Sequence, residues 1–207
     1  MKALRSQINP HFLYNTLDSI IWMAEGGKNK EVVRMTSALA RLLRQSISND
    51  NERIPLEKEV DYAGSYLTIQ KMRYKDKLEY EIEVAEDIKK EEIINLILQP
   101  LVENAIYHGI KYKGSKGLIR IVGYGEGDHI VLKVIDNGIG MDEAALKGIF
   151  DKSRASEGNN GVGVHNVQTR IRLYYGAEYG LHFESTLGEG TTVTIIIPRN
   201  FREEERG

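Results

Sequence analysis

Apolar residues recur every three or four positions through the first third of this chain and then give way to strict alternation. At 100° per residue, Leu13, Leu17, Ile20, Ile21 and Ala24 share one helical face. His11, Asn15 and Asp18 fall on the other side, with His11 roughly 140° from the centre of the apolar stripe. Trp22 also projects outward, and an exposed tryptophan points to contact with another surface. Gly26-Gly27 ends this helix. Val32, Met35, Leu39 and Leu42 predict a second helix over residues 31–48, broken by Asn49-Asp50-Asn51. Pro55 sits near the start of a third, where its missing N–H costs little. Leu56, Val60, Ala63, Leu67, Gln70 and Tyr74 keep the same spacing there, the period of helices packed side by side in a bundle.

Near Tyr74 the texture changes. Residues 78–84 alternate apolar and acidic side chains, as a half-buried strand does. Residues 91–108 read as a mostly apolar helix interrupted by Pro100. Strands are expected over 118–124 and 130–135, joined by the turn Gly125-Glu126-Gly127-Asp128. A segment rich in Gly, Ser and Asn runs over 137–163. A helix over 164–174 and strands over 181–185 and 191–197 close the chain. The pattern is an all-helical front and an α+β back, with a boundary near residue 75.

Composition narrows the classes. The chain has 207 residues, 41% hydrophobic and 28% charged, with a formal net charge of −2. Those values suit a globular protein and give no basic field for nucleic acid or an anionic membrane. There is no cysteine, which removes disulfides, thiolate nucleophiles and thiolate metal sites. No apolar run approaches the ~20 residues that cross a bilayer. The first residues, Met1-Lys2-Ala3-Leu4-Arg5, lack the apolar core of a signal peptide.

Four short motifs in the back half carry candidate chemistry. Glu103-Asn104-Ala105-Ile106-Tyr107-His108 places Asn104 and His108 four apart on a helix. An asparagine carbonyl is a hard oxygen ligand suited to Mg²⁺, though a solvent-facing polar stripe would look the same. Asp136-Asn137-Gly138-Ile139-Gly140 follows an apolar strand. A buried carboxylate there could accept from an exocyclic amine; a plain Asn-Gly turn is the alternative. Gly161-Val162-Gly163 opens a helix, where free N–H groups favour anions, or it is a hinge. Gly188-Glu189-Gly190-Thr191-Thr192 leads into the last strand and fits a hairpin equally well.

Taken together, in this order and on these elements, the motifs resemble the ATP-binding fold shared by histidine kinases, type II topoisomerases, mismatch-repair ATPases and a heat-shock chaperone family. Residues 99–109 are similar to its N box, and 136–140, 161–163 and 188–192 to its three glycine boxes. Lys152 to Asn160 would then belong to an ATP lid. The resemblance implies that Asn104 ligands Mg²⁺ and that Asp136 reads adenine with Gly138, Gly140 and Thr192. It implies that Gly161 and Gly163 cradle phosphates and that Glu103 is the acid beside the γ-phosphate. His108 and Lys111 would be phosphate contacts. Many histidine kinases carry lysine where this chain has Tyr107.

The front third resembles the dimerisation and phosphoacceptor region of LytS/YesM-like sensor histidine kinases. The resemblance rests on Gln7-Ile8-Asn9-Pro10-His11-Phe12-Leu13-Tyr14-Asn15, on Leu42-Leu43-Arg44-Gln45-Ser46 and on Tyr66 to Tyr74. It implies a domain over 1–75 that pairs with a second copy as a dimeric bundle. An α+β two-layer sandwich over 76–200 would bind ATP, and 201–207 would be a polar tail. The implied chemistry is transfer of a phosphoryl group from ATP to His11, then to an aspartate of a response-regulator receiver domain. Better-known kinase classes have an acid directly after the histidine, and this chain has Phe12. Asn15, one turn along, or Glu103 is the expected partner of the imidazole. A nucleotide-gated dimerisation module without kinase activity, and a related ATPase, are the alternatives. The segment is expected to be a cytoplasmic end of a plasma-membrane receptor, with no membrane contact of its own.

Overall fold

A computed structural model describes residues 10–47, 52–149 and 162–199. Helix α1 (Pro10–Glu25) and helix α2 (Asn29–Ile47) form a hairpin. Gly27, at φ +69°, turns the chain so that the amides of Gly27 and Lys28 close on the carbonyls of Ala24 and Met23. A three-residue strand, β1 (Arg53–Pro55), leads into α3 (Leu56–Tyr74), with Pro55 at the N-cap. The rest of the chain forms β2 (Leu78–Val84), β3 (Glu92–Ile94), α4 (Leu98–Asn104), β4 (Gly117–Glu126), β5 (His129–Asp136), α5 (Glu143–Lys147), α6 (Val162–Tyr175), β6 (Gly180–Thr186) and β7 (Gly190–Pro198).

The α1 stripe needs correction. Phe12 and Thr16 are the buried residues of α1, while Leu17 and Ile21 are exposed at 42% and 54%. Phe12 stacks on Tyr66 of α3 with ring centroids 5.0 Å apart. The helical period identified an amphipathic helix but not which face docks inside the chain. Trp22 is 76% exposed, as its position on the wheel suggested.

The region over 91–108 is not one helix. β3 pairs antiparallel with β1, and the chain then turns through Leu96 at φ +56°. α4 starts only at Leu98, with Pro100 in its first turn, where it disrupts no intrahelical bond. After Asn104 the helix widens into a π-turn, Ala105–Ile110. The glycine-rich segment also holds α5, whose first turn is capped by Asp142 Oδ1 accepting from Ala145 N at 2.7 Å. Gly161 and the expected lid residues 152–160 lie outside the described residues.

Five strands form a mixed sheet in the order β2-β4-β5-β7-β6, parallel between β2 and β4 and antiparallel elsewhere. Alternation decides its faces. Leu78, Ile119, Ile121, Ile130, Leu132, Val134, Val193, Ile195 and Ile197 are buried. Glu81, Arg120, Lys133 and Thr194 point the other way, and Arg120 pairs there with Glu81 and Glu83. Helices α3, α4 and α6 supply the apolar cover. α3 is buried on most sides because it packs on α1 and α2 and also on α4 and β2.

Removing the Phe12 ring leaves Tyr66 without its stacking partner. Phe12→Ala is expected to lower unfolding free energy by about 3 kcal/mol. Urea unfolding measures this, and a loss under about 1 kcal/mol would mean that α1 does not dock on α3.

Candidate active site

The inward face of the sheet stays apolar until one end, where it turns polar. Asp136 faces Thr191 across β5 and β7, and Thr191 faces Ser185 across β7 and β6. Asp136 is 6% exposed. Its carboxylate accepts from Gly138 N at 2.8 Å and from the amide of Thr191. Burial still pushes the carboxyl up to about 6, against the pull of those amides and of Lys113. Two backbone donors leave a carboxylate with acceptor capacity to spare, directed at whatever fills this end of the sheet. Ser185 Oγ donates to Gly190 O and lies 2.9 Å from Thr191 Oγ1.

Thr192, expected beside Asp136, is opposite Ile135 and so projects to the other face. Counting by twos from Ile197 and Ile195 through Val193 reaches Thr191, a signal that was present in the sequence.

Glycines let backbone close around the carboxylate. A Cβ on Gly138 would lie 2.4 Å from Gly109 Cα, and one on Gly109 would lie 2.6 Å from Asp136 Oδ1. Gly140, at φ +63°, has Thr186 O where a Cβ would go, 1.9 Å away. Ile139 N donates to Gly109 O at 3.2 Å, and Gly188 N to Ile139 O at 2.7 Å. These contacts tie the π-turn and two glycine motifs into one cradle. Gly109 escaped the sequence reading because its partner lies beyond the reach of local pattern.

α4 and the π-turn bring the other candidates to the same end. Glu103 is partly buried and accepts from Gln99 Nε2 at 2.9 Å; burial raises its carboxyl. Asn104 is the last residue of α4, partly exposed where the π-turn begins. His108 lies in the π-turn, and burial, with the charge of Lys111, lowers its imidazole from the usual value. Lys111 turns onto the Tyr112 ring, 5.6 Å from its centroid. Lys113 is the cation at the first glycine motif, donating to the carbonyl of Asn137. Gly163, in the first turn of α6, sits against Pro100 of α4. π-turns concentrate at functional sites because they reposition side chains without breaking the helix.

At the head of α1, His11 is exposed. The Asn15 amide nitrogen lies 3.1 Å from its Nδ1 and 3.2 Å from its Nε2, so it can donate to whichever ring nitrogen is unprotonated. The neighbouring Phe12 reaches inward to Tyr66. The Tyr66 hydroxyl accepts from Gln70 Nε2 at 2.8 Å and hydrogen-bonds Tyr107 in the π-turn. Burial raises the Tyr66 phenol well above its usual value, and nearby Glu103 adds to the shift.

No group of three or more His, Cys, Asp or Glu gathers at a metal-like spacing among the described residues. Asn104, partly exposed at the end of α4, offers one amide oxygen, a hard donor of the kind Mg²⁺ takes beside phosphate oxygens and water. Nor, among the described residues, is any helix long and apolar enough to cross a membrane.

A cradle of this kind, set between helices and the end of a mixed sheet, defines a nucleotide-binding fold. The family model "Histidine kinase-, DNA gyrase B-, and HSP90-like ATPase" matches residues 89–200, and the "Histidine kinase" model matches residues 1–78. The chain belongs to that ATPase family, and its front region is similar to the histidine kinase model. Sensor histidine kinase YesM of Bacillus subtilis (strain 168) is 37% identical over 198 residues, covering 96% of this chain and 33% of that protein. Sensor protein LytS of Bacillus cereus is 30% identical over 207 residues, covering 100% and 35%. The histidine kinase domain of the Erythrobacter litoralis EL346 blue-light activated histidine kinase shares the fold. Its TM-score is 0.52 at 19% identity, over 81% of this chain and 74% of that one. The chain spans about a third of the length of the curated relatives it matches.

Two glycine variants separate cradle from conformation. Gly127 has φ +57° and open space around it, so Gly127→Ala is expected to cost about 1 kcal/mol and leave nucleotide affinity unchanged. Gly138→Ala must displace Gly109 and is expected to weaken binding of a fluorescent ADP by about tenfold or more. Equal affinities for the two variants would remove Gly138 from the site.

Proposed function

We propose that this chain is the catalytic region of a two-component sensor histidine kinase, which transfers a phosphoryl group from ATP to His11. One observation carries the reading. The same chain holds an exposed histidine set by Asn15 at the head of a helix and a buried carboxylate cradled by glycines at the end of a sheet. The first suits a nucleophile and the second a purine amine.

In this reading Asp136 accepts from the adenine amino group, with Thr191 and the glycines at 138 and 140 shaping the floor. Gly163 approaches the phosphates at the start of α6. Asn104 would offer its amide oxygen to Mg²⁺ and His108 would contact the phosphates, while Lys113 stays with Asn137 and Asp136 at the adenine side. An unprotonated His11 nitrogen, released from the Asn15 amide, forms the new N–P bond as the bond from the γ-phosphorus to the bridging oxygen breaks and ADP leaves. The proton on the other ring nitrogen then passes to a base. Glu103, with its carboxyl raised by burial, suits that task. Positioning and charge neutralisation supply most of such a transfer. The phosphoryl group would pass next to an aspartate of a response-regulator receiver domain.

We assign residues 1–75 to dimerisation and phosphoacceptance and 76–200 to nucleotide binding. The exposed Leu17 and Ile21, with Tyr14 beside them on the same face, support pairing with a second copy, since a helix rarely leaves such a face to water. In the whole protein the segment would lie on the cytoplasmic side of a plasma-membrane receptor.

Incubation with γ-labelled ATP and Mg²⁺ tests the central claim. Acid-labile label is expected on the wild type and absent from His11→Gln. Label on both would move the acceptor elsewhere; ATP consumed without label would make the chain an ATPase; binding without either would leave a nucleotide-gated dimerisation module. Asp136 gives a second test. Its ionised form is the acceptor and titrates near 6, so affinity is full at higher pH and is lost as pH falls through that value. Adenosine, which has no phosphate to titrate, is expected to bind about tenfold more weakly at about pH 5 than at about pH 7. Titration by NMR measures this, and an unchanged affinity would exclude the carboxylate as adenine reader. Asp136→Asn is expected to lose the pH dependence.

A further inference from the structure

The start of α4 is capped from another helix. Its own N-cap residue, Ile97, makes no side-chain cap. Instead Glu59, in the first turns of α3 and 1% exposed, reaches across. Glu59 Oε1 accepts from Ile97 N at 2.7 Å and Leu98 N at 2.9 Å, and Oε2 accepts from Leu96 N at 2.9 Å. These are donors that a helix start leaves unpaired. Leu96 holds a left-handed φ of +56°, a conformation a leucine keeps only when its surroundings impose it. From the other side Arg170 of α6 donates to Leu96 O at 3.2 Å and to Asn95 Oδ1 at 3.0 Å. The turn is therefore gripped between a carboxyl acceptor on α3 and a guanidinium donor on α6.

This grip is selective in what it holds. α4 carries Glu103 and Asn104 at its far end, about 10 Å from the cap at 1.5 Å per residue. α6 carries Gly163 in its first turn. Both helices address the phosphate side of the site. Asp136, Thr191 and Ser185, at the adenine side, hang from the sheet strands β5, β7 and β6. Gly109, which lies against Asp136, is pinned to that side by Ile139 N, and the π-turn lies between it and α4. α3 itself packs on α1, which presents His11.

We propose that Glu59 is a positioning residue for phosphoryl transfer. By capping α4 from α3, it sets Glu103 and Asn104 relative to the helical front and delivers displacement of α3 to the phosphate end while the adenine end stays in place. The proposal rests on the nucleotide site described above. It differs from a purely structural cap, which would stabilise both ends alike.

The test uses the 207-residue chain with Glu59→Gln, which keeps one acceptor oxygen but turns an NH₂ toward the amides. Adenosine affinity, ATP affinity with and without Mg²⁺, single-turnover labelling of His11 and amide exchange over 96–104 are read together. Adenosine binding is expected to stay within about twofold. The gain of ATP-Mg²⁺ over adenosine and the labelling rate are each expected to fall about tenfold or more, with faster exchange over 96–104. Glu59→Asp, which keeps the charge, is expected to recover part of the labelling rate. Equal loss of adenosine and ATP binding, or no change in either, would overturn the proposal. Should Glu59→Gln fail to fold, Arg170→Gln, which releases Leu96 O from the other side, is expected to show the same split, and an even loss there would overturn the proposal as well. A wild type that binds neither ligand would refute the nucleotide site itself. A wild type that binds ATP-Mg²⁺ without labelling would refute the kinase reading and this role in transfer together.

Discussion

A carboxylate sunk at the end of a sheet has to be solvated by something, and that requirement shapes the functional end of this molecule. Asp136 takes its donors from backbone amides, Gly138 and Thr191, and backbone can come so close only where side chains are missing. Hence glycine at 109, 138 and 190, all within contact of the same carboxyl or its own peptide. The π-turn follows from the same demand. A regular helix after Asn104 would not carry the same backbone to the sheet, and the wider turn sets Gly109 against Asp136. One buried charge thus selects strand register, turn chemistry and helix geometry at once.

Parts of this were readable from the residues. β5 and β7 alternate cleanly, so their faces, and the polar step at Asp136, are visible as period two. The glycine motifs stand out because each needs a conformation or closeness that other residues refuse. The region over 91–108 was not readable in the same way. Its apolar run suits a helix or a short buried strand equally, and only the pairing of β3 with β1 decides it. Glu59 left no local signal either. Its partners are the amides of Leu96, Ile97 and Leu98, and a sequence does not display which amides lack a partner.

The first helix teaches a different lesson. Its stripe docks only in part: Leu13 and Ile20 pack against the core, yet the buried residues are Phe12 and Thr16, off the stripe's centre. A periodic pattern records every surface a helix hides, within the chain or against another molecule. The residues left over after internal packing, Leu17, Ile21 and Trp22, are what the second kind of burial would use. α3 has no such remainder, because it is wedged between the hairpin and the sheet layer.

Phe12 also alters how α1 can respond to force. Its ring is seated on Tyr66, so the azimuth of the helix, and with it the bearing of the His11 imidazole, is locked by an aromatic pair rather than by a polar contact that could slide. Close-packed rings have no intermediate seat. Twisting α1 therefore meets a threshold: small torques are absorbed, and a larger one unseats the ring and swings the histidine in a single step. In a helix of this design the residue after the exposed histidine works as a detent.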